Sequence, residues 1–488
     1  MSTPARARTP LDLRLAPGAI GTWAACLVAV KTSLAPAFLA AVAMAGLVCL
    51  GWPRRAPRHR PPWRGWASLA AALGCAVTLA AGGAGWAQVT HRAHVAEAAA
   101  DFAGPNARIH VRLTSEVRTG AAGPGAHGLL THLTSGEEEI AVRVPAYLIG
   151  ADPAWRVGQR VVVSGSLAAG KEQQLFLRVS ENHHAAPPAG VFRLVDQLRE
   201  GLRSVSAHLP PHARGLVPGV AIGDDRRLPE HIAAAMRTTS LTHITAVSGA
   251  HVAVVVATVL VVLARTPAWL RAALASLVLA AMVLVVLPTP SVLRAAGMGL
   301  LTLAALAAGR PRLAVPVLFF TVTALLAYDP WLATSIGFAL SVAATLGILL
   351  WAGPISELLG STLLSRAVAV PLAAQAWCAP LLLTFEATLA TYSVPANLLA
   401  VPALAPATIL GLVSALLSSL APGAAALAAS LASYFTGWIA AVAVFFAGLP
   451  GAKIPWPGGP LGVGALITFT LGAAAGLRRV GRRRTWQA

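Results

Sequence analysis

The chain has 488 residues, 56% of them hydrophobic and only 11% charged, with a net charge of +19 from 37 basic and 18 acidic residues. That composition excludes a soluble globular protein of this size, because apolar runs of bilayer-crossing length recur along it. Much of the positive charge sits in short loops and at the two ends, as cytoplasmic loops require, so the basic balance argues only weakly for nucleic-acid binding.

Residues 1–14 form a basic leader with Arg6, Arg8 and Arg14 and no small-residue cleavage site, so they do not read as a secretory signal. Apolar runs follow at about 17–30, 34–51 and 66–88. The loop 52–66 between the last two holds Arg54, Arg55, Arg58, Arg60 and Arg64, which marks it as cytoplasmic. Residues 1–90 are therefore expected to be a membrane region with three spans. The four cysteines, Cys26, Cys49, Cys75 and Cys378, lie in apolar runs without paired metal-ligand spacing. No disulfide, metal or other cofactor is expected.

From about 91 to 185 alternation replaces the apolar blocks. Ile109, Val111 and Leu113, then Ile140, Val142 and Val144, then Val161 and Val163 recur at period two, with glycine-rich turns between them. That pattern predicts short antiparallel strands. About five strands fit a small OB-like β-barrel, inserted on the extracytoplasmic side of a mainly α polytopic protein. Between 104 and 184 eight Lys and Arg face seven Asp and Glu, with Tyr147, Trp155 and Phe176 the aromatic residues. This favours a structural or docking role over a single-strand groove.

Residues 186–240 read as amphipathic helices and a gateway loop. Val191, Leu194, Val195, Leu198, Leu202 and Val205 fall at helical spacing with charges between them, as in a helix lying on the outer membrane surface. The loop GVAIGDDRRLPE covers 219–230. Nine apolar segments follow, at about 241–264, 269–287, 291–309, 313–327, 331–351, 366–385, 394–417, 424–449 and 461–477. With the first three they give about twelve transmembrane segments. This count places Arg265, Arg271, Arg310, Arg312, the basic tail 478–488 and both termini in the cytoplasm. Pro380, Pro395, Pro402 and Pro406 interrupt the later segments, as in helices broken around a cavity.

The polar residues within 241–477 are the candidate site. LTHITAVSGAHV, 241–252, opens an apolar run with His243, Ser248, Gly249 and His251. Polar side chains inside a span are functional by default, and a mid-helix Gly249 would loosen the helix beside a cavity. His243 and His251 are two helical turns apart and can share one face. The spacing is not that of a metal pair. A helix start whose Thr and Ser bond back to the preceding turn is the structural alternative. Arg294 in TPSVLRA needs carbonyls, a carboxylate or water, or snorkels to the surface. Ser341 in GFALSVAATLGI, Gln375 in PLAAQAWCAP and Asn397 in VPANLLAVP complete the set, with Asp224, Arg226 and Arg227 at the gateway.

These blocks resemble, in order, the ComEC family of competence proteins, whose hallmark reads close to LP…GLxxGD…HLLAVSGLHV. Residues 209–254 carry the hallmark, and SVLRA, DP…GFALSVAATLG and PANLLAVP match later blocks, so the resemblance covers about 15–476. Thr245 stands where Leu is usual, Ala250 replaces a larger residue, and Asp225 adds an acid after the Gly-Asp pair. The resemblance implies a channel in the bacterial inner membrane that passes single-stranded DNA during natural transformation. It implies a surface DNA receptor and a cytoplasmic motor or single-strand-binding protein as partners, beside membrane lipid. Fuller family members carry a metallo-β-lactamase-like nuclease domain. No HxHxDH motif occurs in this sequence, so the chain is read as a non-enzyme, with any strand degradation left to a separate nuclease. The competing readings are a small-solute transporter, an intramembrane serine hydrolase using Ser248, and a changed role in a host that does not transform. The hydrolase reading is weak, because AVSGAH lacks the first glycine of a nucleophile elbow and has no nearby acid.

Overall fold

The computed structural model describes residues 15–32, 64–103, 107–120, 122–170, 174–308 and 314–484. The apolar run 34–51, the arginines at 54, 55, 58 and 60, and the loop arginines at 310 and 312 lie outside the described residues.

Helix α1 (Ala16–Thr32) packs against α2 (Arg64–Phe102) through Cys26, Ala29 and Val89. The second helix is 39 residues long and continues well past the expected end of its span near 88. Residues 89–103 contain no Gly or Pro and are rich in Ala, so nothing stops helix propagation once the apolar run ends. Its last turns leave the helical region, and Ala96 and Ala99 are buried in the core of a sheet domain.

That domain has strands β1 (Arg108–Leu113), β2 (Arg118–Gly120), β3 (Gly123–Ser135), β4 (Glu138–Ile149), β5 (Arg160–Ala169) and β6 (Leu175–Ala186). The ladder runs β1-β5-β6-β4-β3-β2, and β1 also pairs with β3. All pairings are antiparallel except β4 with β6. The alternation seen in the sequence is the burial pattern: Ile109, Val111, Leu113, Val142, Val144, Val161 and Val163 face one core. Register shifts at His110/Val111, Leu130/His132 and Val162/Val163 bend the strands around it.

Helices α3 (Val191–Ser206), α4 (Pro211–Ile222) and α5 (Glu230–Thr238) follow. The sequence reading missed α4 and began the gateway loop at 219. Nearly every residue of α4 from Ala213 to Ile222 is buried, so it shows no amphipathic signal. It ends at Gly223, whose φ of 73° is the left-handed C-terminal cap that glycine adopts freely. Helix α3 also differs from expectation. Val191 and Leu194 are exposed, while Arg199 and Arg203 are buried.

Beyond 241 each of the nine apolar segments contains a helix: α6 (Gly249–Val262), α7 (Ala268–Val286), α8 (Pro290–Ala307), α9 (Ala314–Tyr328), α10 (Ile336–Gly347), α11 (Gly353–Leu358), α12 (Leu363–Leu382), α13 (Ser393–Leu417), α14 (Pro422–Ala447) and α15 (Gly459–Arg484), with α10 and α11 joined by a π turn at Ile348–Ala352. Among the described residues, five helical stretches are long and apolar enough to cross a membrane: Ala268–Val286, Pro290–Ala307, Ile336–Leu358, Ser393–Leu417 and Pro422–Ala447. The molecule is thus mostly helical with one sheet domain and a two-strand ladder of β7 (Thr388–Ala390) and β8 (Lys453–Pro455).

The prolines do not break the later helices as expected. Pro371 and Pro380 lie within α12, and Pro402 and Pro406 within α13, which runs unbroken for 25 residues. Close neighbours let such helices continue past the lost hydrogen bonds. Small residues permit that closeness: a Cβ at Gly411 of α13 would stand 2.7 Å from the Ala221 methyl of α4.

Candidate functional site

The predicted site residues fall into two groups, one at the seam of the sheet domain and one inside the helical region. At the seam, Arg199 and Arg203 are one turn apart on the inner face of α3. Glu116, from the segment after β1, lies 3.0 Å from Arg199 Nε and 2.7 Å from Arg203 Nη2. Asp224, just past the Gly223 cap, accepts from Arg203 Nε at 2.6 Å and from Arg226 Nε at 2.8 Å. Arg226 Nη1 also sits 2.9 Å from Glu116 Oε2. Arg199 Nη1 donates to the carbonyls of Ile222 and Val285, 2.9 and 2.7 Å away. One network therefore ties the sheet domain, α3, the end of α4 and the end of α7.

Electrostatics in this network favour the ionised forms. Burial alone would raise the Asp224 pKa. The hydrogen bond from Arg226 and the charges of Arg203, Arg226 and Arg199 outweigh it and hold the carboxyl well below the usual range. Burial opposes charge on Arg203 as well, but Glu116 and Asp224 raise its pKa above the ordinary value. Asp224 and Arg226 are thus joined to each other as well as to the domain seam, whereas among the described residues Arg227 bonds only the Arg203 carbonyl, at 3.4 Å.

Sequence reasoning missed Glu116, Arg199 and Arg203. Charges at helical spacing look like a solvated face, and the partner carboxylate lies 83 residues upstream of Arg199. The two departures Thr245 and Asp225 also meet: Thr245 Oγ1 donates toward Asp225 Oδ2 at 3.3 Å. Asp225 is held from the other side by Arg118 of β2, at 3.2 Å.

Inside the helical region, 241–264 is not one helix. A short 3-10 turn covers Thr242–Ile244, and α6 starts only at Gly249. His243 and His251 therefore do not share a continuous helical face. His243 is exposed and its Nδ1 lies 3.0 Å from the Ser240 carbonyl. His251 is fully buried. Ser248 and His251 form a capping box, with the Ser248 backbone N–H donating to His251 Nδ1 at 3.1 Å. The expected mid-helix Gly249 is the first residue of α6 instead. A Cβ there would stand 3.1 Å from Arg294 Nη2, so glycine lets the guanidinium approach.

Arg294 is buried in the first turns of α8. Its Nε donates to Ser341 Oγ of α10 at 2.8 Å, and its Nη1 lies 3.0 Å from Met298 Sδ. Among the described residues no carboxylate pairs with it. Gly249, Arg294 and Ser341 are thus brought together from three helices. Gln375 is half-buried on α12, which packs on α10 through Cys378 Sγ and the Leu340 carbonyl. Asn397 is turned back on its own helix, donating to the Ser393 carbonyl at 2.7 Å.

The Ser248 Oγ to His251 Nδ1 distance, 3.2 Å, resembles a nucleophile and its base. The ring's Nδ1 already accepts a backbone N–H, so its proton sits on Nε2, which has no partner among the described residues. Among the described residues no carboxylate orients it, and the geometry the pair makes is that of a helix cap.

Residues 220–480, just over half of the chain, match the family model described as Competence protein. The chain belongs to the ComEC-type competence protein family. Membership ties it to DNA uptake in natural transformation, and its apolar helices make it a membrane protein. The family match begins inside α4 and takes in the gateway loop, the capping box, Arg294, Ser341, Gln375 and Asn397. No curated protein and no solved structure matches the chain.

Proposed function

We propose that this competence protein is the inner-membrane channel that passes single-stranded DNA into the cytoplasm. The observation that carries the reading is Arg294: a buried guanidinium without a carboxylate among the described residues, held by a hydroxyl and a thioether behind Gly249. A cation kept in an apolar region at such cost is functional, and the polyanionic backbone of DNA is the counter-charge that family membership suggests. On this reading the gateway Asp224, Arg226, Arg227 and the inner set His243, Ser248, Gly249, His251, Arg294, Ser341, Gln375 and Asn397 flank the path.

The finer architecture follows the same reading. Nine helical segments after 241, added to the three apolar runs of the sequence at about 17–30, 34–51 and 66–88, give about twelve spans with both termini cytoplasmic. The strand circuit β1-β5-β6-β4-β3 returning to β1, with one parallel pair, supports a closed OB-like barrel outside the membrane. A surface receptor would deliver DNA there, and a cytoplasmic motor or single-strand-binding protein would draw it through.

The test is uptake of labelled DNA into the cytosol of cells carrying the wild-type chain, Arg294→Ala or His251→Ala, with membrane levels checked by blotting. Loss of internalised DNA at normal protein level and normal surface DNA binding is expected. Unchanged uptake in both variants would sink the channel reading and favour a transporter of small solutes.

A further inference from the structure

A cavity of about 250 Å³ opens at the seam between the sheet domain and α3–α4. Five arginines line it, at 156, 203, 214, 226 and 227, against two carboxylates, Glu200 and Asp224. Both carboxylates are already committed. Glu200 lies 3.0 Å from Arg203 Nη1 and 3.7 Å from Arg156 Nη2. Asp224 is bound by Arg203 and Arg226. Behind the cavity, Glu116 is shared by Arg199, Arg203 and Arg226, and Asp196 lies 3.9 Å from Arg156. Four arginines and four carboxylates thus balance.

Arg214 and Arg227 remain over. Arg214 Nε donates to the Leu209 carbonyl at 2.8 Å, and Arg227 Nη1 donates to the Arg203 carbonyl at 3.4 Å. Among the described residues neither has a carboxylate partner, and both are exposed. Each guanidinium gives one N–H to a backbone carbonyl and keeps further donors at the exposed rim. Pro153 and Pro218 are the apolar lining residues. An acyl chain would find almost no surface beside the cations, whereas a bare phosphodiester needs none.

We infer that Arg214 and Arg227 form a phosphodiester-binding subsite for the incoming single strand, while Arg199, Arg203 and Arg226 hold the seam together. The inference rests on the proposed function and divides its arginines into two jobs. The subsite stands where the sheet domain meets the gateway loop, so a strand leaving one would be held at the threshold of the other.

The test uses the full chain in nanodiscs of neutral lipid and a fluorescent oligodeoxythymidine, with anisotropy followed across a salt series. Each phosphate contact to a single strand contributes about 0.7 to the slope of log affinity against log salt, so Arg214→Gln with Arg227→Gln together should flatten it by about 1.4. The double variant should keep the wild-type thermal midpoint, because neither arginine is in the buried network. An oligonucleotide with neutral methylphosphonate linkages should bind the variant and the wild type alike. An unchanged slope with wild-type affinity and uptake would overturn the subsite and leave the channel reading standing. Normal DNA binding with lost binding to phosphatidylglycerol vesicles would overturn it in favour of a lipid headgroup site. A wild-type chain that neither binds nor imports DNA would remove the proposed function and the subsite with it.

Discussion

Glu116 and Arg203 meet 2.7 Å apart across the seam, with side-chain exposures of 8% and 6%. A carboxylate from the sheet domain is thus sealed against a helix of the membrane part. Removing one partner of such a pair leaves uncompensated charge, which costs about 3–5 kcal/mol. Glu116→Ala removes the carboxylate that Arg199, Arg203 and Arg226 share, leaving Arg203 and Arg226 to Asp224 and taking from Arg199 its closest carboxylate. The detergent-solubilised variant should unfold at a clearly lower temperature, and trypsin should cut after Arg193, in the first turn of α3, faster. A wild-type midpoint and cleavage rate would show that the seam does not depend on this pair.

The pH response of the seam has a definite sign. The Asp224 carboxyl titrates below its unfolded value of about 3.9, so its stabilisation is complete above that pH and is lost only as pH falls through the folded value. Asp224→Asn should therefore lower the unfolding midpoint by the same amount at about pH 8 and about pH 5. The gap between variant and wild type should narrow only below about pH 4. A gap that closes between neutrality and pH 5 would show that groups other than the Asp224 carboxyl govern the pH response of the seam.

Two glycines should respond differently to the same methyl group. At Gly215 of α4 an added Cβ would stand 2.4 Å from the Leu228 backbone, which cannot turn aside. Gly215→Ala should cost about 1–3 kcal/mol and displace the gateway loop. At Gly249 the neighbour is the end of a flexible arginine. Gly249→Ala should leave the unfolding midpoint near wild type and lower DNA uptake by moving Arg294. Equal thermal losses in the two variants would contradict this distinction.

Arg294 binds through two directions of its fork, Nε to Ser341 and Nη1 to Met298. A lysine has one compact ammonium and cannot reproduce both. Arg294→Lys should keep membrane insertion and lose most DNA uptake. Ser341→Ala should lose less, since a hydrogen bond to a charged group contributes about 1.5–3 kcal/mol and the guanidinium stays in place. Full uptake in the lysine variant would mean that charge alone suffices there.

What could be read in advance followed the range of each interaction. The strands were legible because one buried face imposes period two on Ile109, Val111 and Leu113 locally. The helices beyond 241 were legible because apolar length is a local property. Helix α4 was not, since a helix buried on all sides has no polar stripe and reads as loop when glycines and Pro218 punctuate it. The Ser248–His251 cap could have been found as a polar residue three positions after a serine at a helix start. The role of Arg199 and Arg203 could not, because their charges make sense only once Glu116 is folded beside them.

Helix α2 carries a mechanical consequence. At about 1.5 Å per residue its 39 residues make a rod roughly 58 Å long. Its later half packs on α1 through Gly85 and Val89, and its last turns are embedded in the sheet core through Ala96 and Ala99. The seam network gives that rod a second fixed point, so the sheet domain is held at two anchorages like a beam on two supports. A load on the strands is delivered to α1 through one anchorage and to the gateway loop through the other, so the sheet domain and the gateway loop are mechanically in series.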